Sequence, residues 1–173
     1  MRPRPLRLHD PREFPVLYVD DEIENLRIFD LTFRREFSVL TAQSAEDGLR
    51  QLNENPVAVV LSDHKMPGMT GVEFLARVRE IDEHAIRILV TAYGDAEILG
   101  SAINDGRIYR YVAKPWNPDD MRLTLRRAIE RYALDRERVV LLSERPLLHG
   151  QSRSLHRELQ PEGVVDLLLE EAI

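Results

Sequence analysis

The 173-residue sequence has no cysteine. That excludes disulfides, thiolate metal sites and cysteine nucleophiles, and it leaves the redox compartment open. No apolar run approaches the roughly 20 residues that a membrane-spanning helix needs. The opening stretch, MRPRPLRLHDPREFP, is basic but lacks the apolar core of a signal peptide. Its prolines and arginines predict a mobile lead-in over residues 1–13. There is no excess of base either: the net charge is -6, against a chain that binds nucleic acid over its whole surface. The expectation is a cytoplasmic protein with no membrane segment and no direct nucleic-acid contact. What the chain does have is 43% hydrophobic and 31% charged residues, enough for a packed core. Its length suits one ordinary domain with an appendage.

Two periodicities alternate. The short apolar runs PVLYV (15–19), SVLTA (38–42), VAVVLS (57–62), IRILVTA (86–92) and YRYVA (109–113) read as strands. Helical spacing fills the gaps. Ile23, Leu26, Phe29 and Phe33 make one stripe, and Val72, Leu75, Val78 and Ile81 another. Ser44, three residues before Asp47, predicts a variant capping box. A fourth helix is predicted over DAEILGSAINDG (95–106), closed by Gly106. Asn117 as N-cap, Pro118 at the first helical position and Asp119 with Asp120 in the first turn predict a fifth. Five β-α units imply an α/β fold, a doubly wound five-stranded parallel sheet with a C-terminal helical extension. In such a sheet ligands bind beyond the carboxyl ends of the strands, at the topological switch point.

The polar residues at the strand ends are therefore the ones to weigh. The first strand ends at Asp20 and Asp21, the third at Asp63, the fourth at Thr91 and the fifth at Lys114. Singly, each has a plain explanation: a turn cap, acidic charge at a helix start, a strand terminator, a surface lysine. Together they make a different case. Clustered carboxylates repel one another unless a cation joins them. Hard oxygen donors of this kind favour Mg²⁺. A carboxylate can also serve as a nucleophile, giving an aspartyl phosphate. Phosphoryl transfer then needs a metal, an ammonium and hydrogen-bond donors around the phosphoryl oxygens. On this reading Asp63 is the nucleophile and Asp20, Asp21 and Asp63 hold Mg²⁺. Thr91 and Lys114 meet phosphoryl oxygens.

VLYVDDE, VVLSDHKMPGMTGVEFL, ILVTAY and YVAKPW resemble, in order and separation, the receiver domains of two-component response regulators. The resemblance covers residues 14–134 and implies a flavodoxin-like fold. It implies that Asp63 is the phosphoacceptor, that Asp20 and Asp21 are the acidic pair, and that the Lys65 backbone carbonyl joins the metal. It also implies that Thr91 is the switch hydroxyl, that Lys114 binds phosphate, that Tyr111 changes rotamer, and that the Lys114–Pro115 bond is cis. Lys65 and Tyr93 would flank the path of attacking water. The implied activity is a phosphorylation-dependent signalling switch, not an enzyme beyond its own phosphotransfer and dephosphorylation. Its implied partner is a sensor histidine kinase or phosphotransfer protein. The alternative is a receiver-like interaction scaffold working without phosphorylation. A haloacid-dehalogenase-like phosphatase would need a second aspartate two residues after the first-strand nucleophile; Asp20 is followed by Asp21 and Glu22.

Residues 135–173 read as a helical linker and a short amphipathic tail. Leu125, Ala128, Tyr132, Asp135, Val139 and Leu142 follow an approximate 3-4 seam with a charge at Asp135; this would suit either a homodimer through the fifth helix and the extension, or a helix amphipathic against the receiver followed by a charged, exposed extension. Pro146 and Gly150 break the helix, and the remainder weakly resembles the leading helix of a GAF-type domain. It is too short to be such a domain, so the expectation is a truncated or interaction segment.

Overall fold

The computed structural model describes residues 10–92 and 108–143, with backbone only for 142 and 143. Its five strands are β1 (Val16–Val19), β2 (Val39–Ala42), β3 (Val59–Asp63), β4 (Ile86–Ala92) and β5 (Arg110–Lys114). All four ladders are parallel, and the order is β2-β1-β3-β4-β5. β1 and β3 are buried at every residue, which is why they read as near-continuous apolar runs.

The described helices are α1 (Ile23–Phe33), α2 (Ala45–Glu54), α3 (Gly71–Ile81) and α4 (Pro118–Ser143). Side chains set three of their starts. Ser44 accepts from the Asp47 amide at 3.1 Å. Thr70 and Glu73 form a capping box, the Glu73 carboxylate accepting from the Thr70 amide at 2.9 Å. Asn117 accepts from the amides of Asp119 and Asp120. Strand alternation then splits the core in two. Val16 and Tyr18 pack with Leu26, Phe29 and Phe33 of α1 and with Met121, Leu125 and Tyr132 of α4. Leu17 and Val19 face the other way, onto Ala45 and Leu52 of α2 and Phe74, Leu75 and Val78 of α3.

Two expectations need correction. Ile23 and Ile81 are 54% and 44% exposed, although each continues an apolar stripe. They are the first residue of α1 and the last of α3. Phe74, outside the expected α3 stripe, is fully buried. The seam along α4 follows the second of its two readings: Leu125, Ala128 and Tyr132 are core residues of the domain itself, while Val139 is 45% exposed.

Residues Met1–Arg136 group as one compact unit and Glu137–Ile173 as another. Among the described residues, no helix is long and apolar enough to cross a membrane. The expected helix over 95–106, Tyr93, and the tail beyond Ser143 lie outside the described residues, as does most of the lead-in.

Candidate functional site

The order β2-β1-β3-β4-β5 puts the switch point between β1 and β3. Asp20 follows β1 and Asp63 ends β3, so the two carboxylates flank that crevice. A cavity of about 310 Å³ opens there, with Asp20, Asp21, Asp63, Lys65 and Lys114 in its walls. Glu22, Asn25, His64 and Ala92 complete the lining.

Asp20 is 1% exposed and surrounded by donors. Its Oδ1 accepts from the Glu22 amide at 3.0 Å and from Asn25 at 3.1 Å. Its Oδ2 accepts from the Tyr18 hydroxyl at 2.5 Å and from Lys114 Nζ at 2.8 Å. Burial pushes the Asp20 carboxyl up. The hydrogen bonds from Lys114, Tyr18, Asn25 and the Glu22 amide outweigh it and hold the carboxyl below the usual aspartate range. The Lys114 ammonium also donates to Asp63 Oδ1, so it bridges the two strand ends. Burial lowers the Lys114 ammonium, and the paired carboxylates reverse that and raise it above an ordinary lysine. The Lys114–Pro115 bond is cis, as the resemblance implies.

The loop after β3 folds back on Asp63. The Lys65 amide donates to Asp63 Oδ2 at 2.8 Å, and the Gly71 amide donates to the His64 carbonyl at 2.9 Å. A Cβ at Gly71 would overlap the Asp63 carbonyl oxygen, so only glycine lets α3 start this close. Gly68, at φ 80°, makes the left-handed turn on the way. His64 is buried; its amide donates to the Val90 carbonyl, and its Nδ1 makes no hydrogen bond among the described residues.

Among the described residues, no three acidic or histidine side chains stand as a closed metal-ligand set. Mg²⁺ does not require one: it is usually held by one or two carboxylates and keeps several waters. The donor chemistry fits, since Asp20, Asp21 and Asp63 offer hard oxygens to one cavity. The ammonium between Asp20 and Asp63 marks where these carboxylates draw positive charge.

Thr91 does not line the cavity. It is buried one residue beyond Val90, which pairs with Asp63, and its hydroxyl donates to the Ala92 carbonyl at 3.3 Å. Tyr111 is 46% exposed. Sequence reasoning missed Tyr18, Asn25 and Glu22. A signal for them existed: alternation along β1 puts Tyr18 on the face of Asp20, and one α1 turn brings Asn25 back over it.

The response regulator receiver domain pattern matches residues 16–126. The hydrogenase transcriptional regulatory protein HoxA of Cupriavidus necator is 42% identical over 123 residues, 71% of this chain and 26% of the relative. The sporulation initiation phosphotransferase F of Bacillus subtilis is 31% identical over 62% of this chain and 86% of its own length. A receiver domain protein from Clostridium thermocellum superposes with TM-score 0.66 at 31% identity, over 70% of this chain and 98% of that one. The chain spans about a quarter of the length of the HoxA proteins that it matches. The matched stretch runs from the first residue of β1 into α4 and so includes both carboxylates that Lys114 bridges; the chain belongs to the response regulator receiver-domain family.

Proposed function

We propose that Asp63 accepts a phosphoryl group from a histidine kinase or phosphotransfer protein, with Asp20, Asp21, Asp63 and the Lys65 carbonyl holding Mg²⁺. The observation that carries this is the Lys114 bridge from Asp20 to Asp63, which supports reading the ends of β1, β3 and β5 as one reaction site. An Asp63 oxygen attacks phosphorus as the P–N bond to the donor imidazole breaks, and the imidazole keeps the electron pair. Bound Mg²⁺ supplies charge neutralisation for the transferring oxygens. Lys114 then exchanges its Asp63 contact for a phosphoryl oxygen, and the Thr91 hydroxyl turns from the Ala92 carbonyl to another. Tyr111, now exposed, takes the space that Thr91 leaves. The local charge thereby shifts a two-state equilibrium of the β4–β5 surface.

The reading is tested by incubating the protein with acetyl phosphate and Mg²⁺ and measuring intact mass. One phosphoryl adduct is expected, and excess chelator should abolish it. An adduct that forms equally well in chelator contradicts the metal assignment.

We also propose that the protein is cytoplasmic and that its output is transcriptional regulation, the role named for the hydrogenase regulator 42% identical to it. Val139, Val140 and Leu141 are exposed at the end of α4, and we propose that they support a homodimer.

A further inference from the structure

We propose that Tyr18 is a positioning residue for the site: its hydroxyl fixes the Asp20 carboxylate in the orientation that binds Mg²⁺. The inference rests on the proposed metal role of Asp20.

Tyr18 is fully buried in β1, and its ring packs on Phe29 with centroids 4.7 Å apart. A phenylalanine would fill that apolar space equally well. The hydroxyl therefore contributes something other than packing, and a buried phenol must find a partner. It reaches Asp20 Oδ2 at 2.5 Å, the range of a charge-assisted O–H···O⁻ bond.

The other side-chain donors to Asp20 differ in kind. Lys114 and Asn25 line the cavity, and both have other partners: Lys114 also serves Asp63, and Asn25 also serves Glu22. Lys114 has a flexible stem and a second task during phosphoryl transfer. Tyr18 approaches from the core, held by its strand and by Phe29. It is the donor that keeps its place when the ammonium moves. Partners one step outside a metal typically change affinity about 10- to 100-fold when removed.

The test is calorimetric Mg²⁺ titration of unphosphorylated wild type, Tyr18→Phe and Phe33→Leu. Phe33 lies in the same core cluster and offers no hydrogen bond to Asp20, so its variant controls for loosened packing. Tyr18→Phe should weaken Mg²⁺ binding about tenfold. It should raise the Mg²⁺ concentration for half-maximal phosphorylation by the same factor, with the rate at saturating Mg²⁺ within about twofold. Phe33→Leu should lower the melting temperature and leave Mg²⁺ affinity unchanged. Unchanged affinity in Tyr18→Phe, or an equal loss in Phe33→Leu, overturns the inference while leaving the metal site intact. A wild type that binds no Mg²⁺ overturns the metal site, and the inference with it.

Discussion

Lys114 Nζ lies 2.8 Å from Asp20 Oδ2, joining the end of β5 to the end of β1 across 94 residues of sequence. The same ammonium reaches Asp63 on β3. One side chain thus offsets the repulsion of two nearby carboxylates, and we propose that it also meets a phosphoryl oxygen.

Lys114→Ala removes that donor from the reaction. Phosphorylation by acetyl phosphate should slow on the order of 100-fold, the usual effect of losing one preorganised charge-stabilising donor. Time-resolved intact mass checks it. A rate within threefold of wild type would place Lys114 outside the reaction.

The same variant should change the response to pH. The Asp20 carboxyl is held below its usual range in the folded protein. Its contribution to stability is therefore present above the unfolded value of about 3.9 and lost as pH falls through the folded value. Lys114→Ala keeps the burial cost and removes one donor, so the Asp20 carboxyl rises. Thermal melts in chelator from pH 3 to 8 should show the acid loss beginning at a higher pH in the variant. Lys114 has the opposite sign: its raised ammonium contributes stability below about pH 10.4 that is lost as pH rises through the folded value.

Gly71→Ala forces a Cβ against the Asp63 carbonyl, a backbone atom that cannot rotate away. Denaturant unfolding should show a loss of about 1–3 kcal/mol, and phosphorylation should slow because the Asp63 end of β3 must shift. Thr70→Ala, one residue away, removes only the helix cap and should cost about 1 kcal/mol. Its phosphorylation rate should be unchanged.

The two halves of the α4 seam should behave differently. Leu125→Ala opens a cavity in the core and should cost about 2–5 kcal/mol. Val139→Ala is at an exposed position and should stay within about 0.5 kcal/mol. If the end of α4 carries a homodimer, light scattering should show Val139→Asp with Leu141→Asp as a monomer and wild type as a dimer.

Much of this was legible in the sequence because it depends on local rules. The apolar runs of β1 and β3 state their own burial, and the parallel order follows from β-α alternation. Ser44 and Asn117 announce helix starts through the chemistry of their side chains. Periodicity defines a face but not how far along a helix that face is covered, so the exposure of Ile23 and Ile81 and the division of the α4 seam between core and solvent need the structure. Lys114 was legible as a strand-end cation, but its simultaneous contact with Asp20 and Asp63 needs three strands in space. The Tyr18–Asp20 bond lay within reach of period-two alternation. Alternation alone does not single it out, because an aromatic in a strand already has a sufficient reason to be there.

Each proposed step requires that Asp63 is the residue phosphorylated. Intact mass spectrometry of wild type and Asp63→Asn, after acetyl phosphate and Mg²⁺ under identical conditions, tests it most directly. A single phosphoryl adduct is expected in wild type and none in the variant. An adduct of equal yield in Asp63→Asn, or none in wild type, would contradict it.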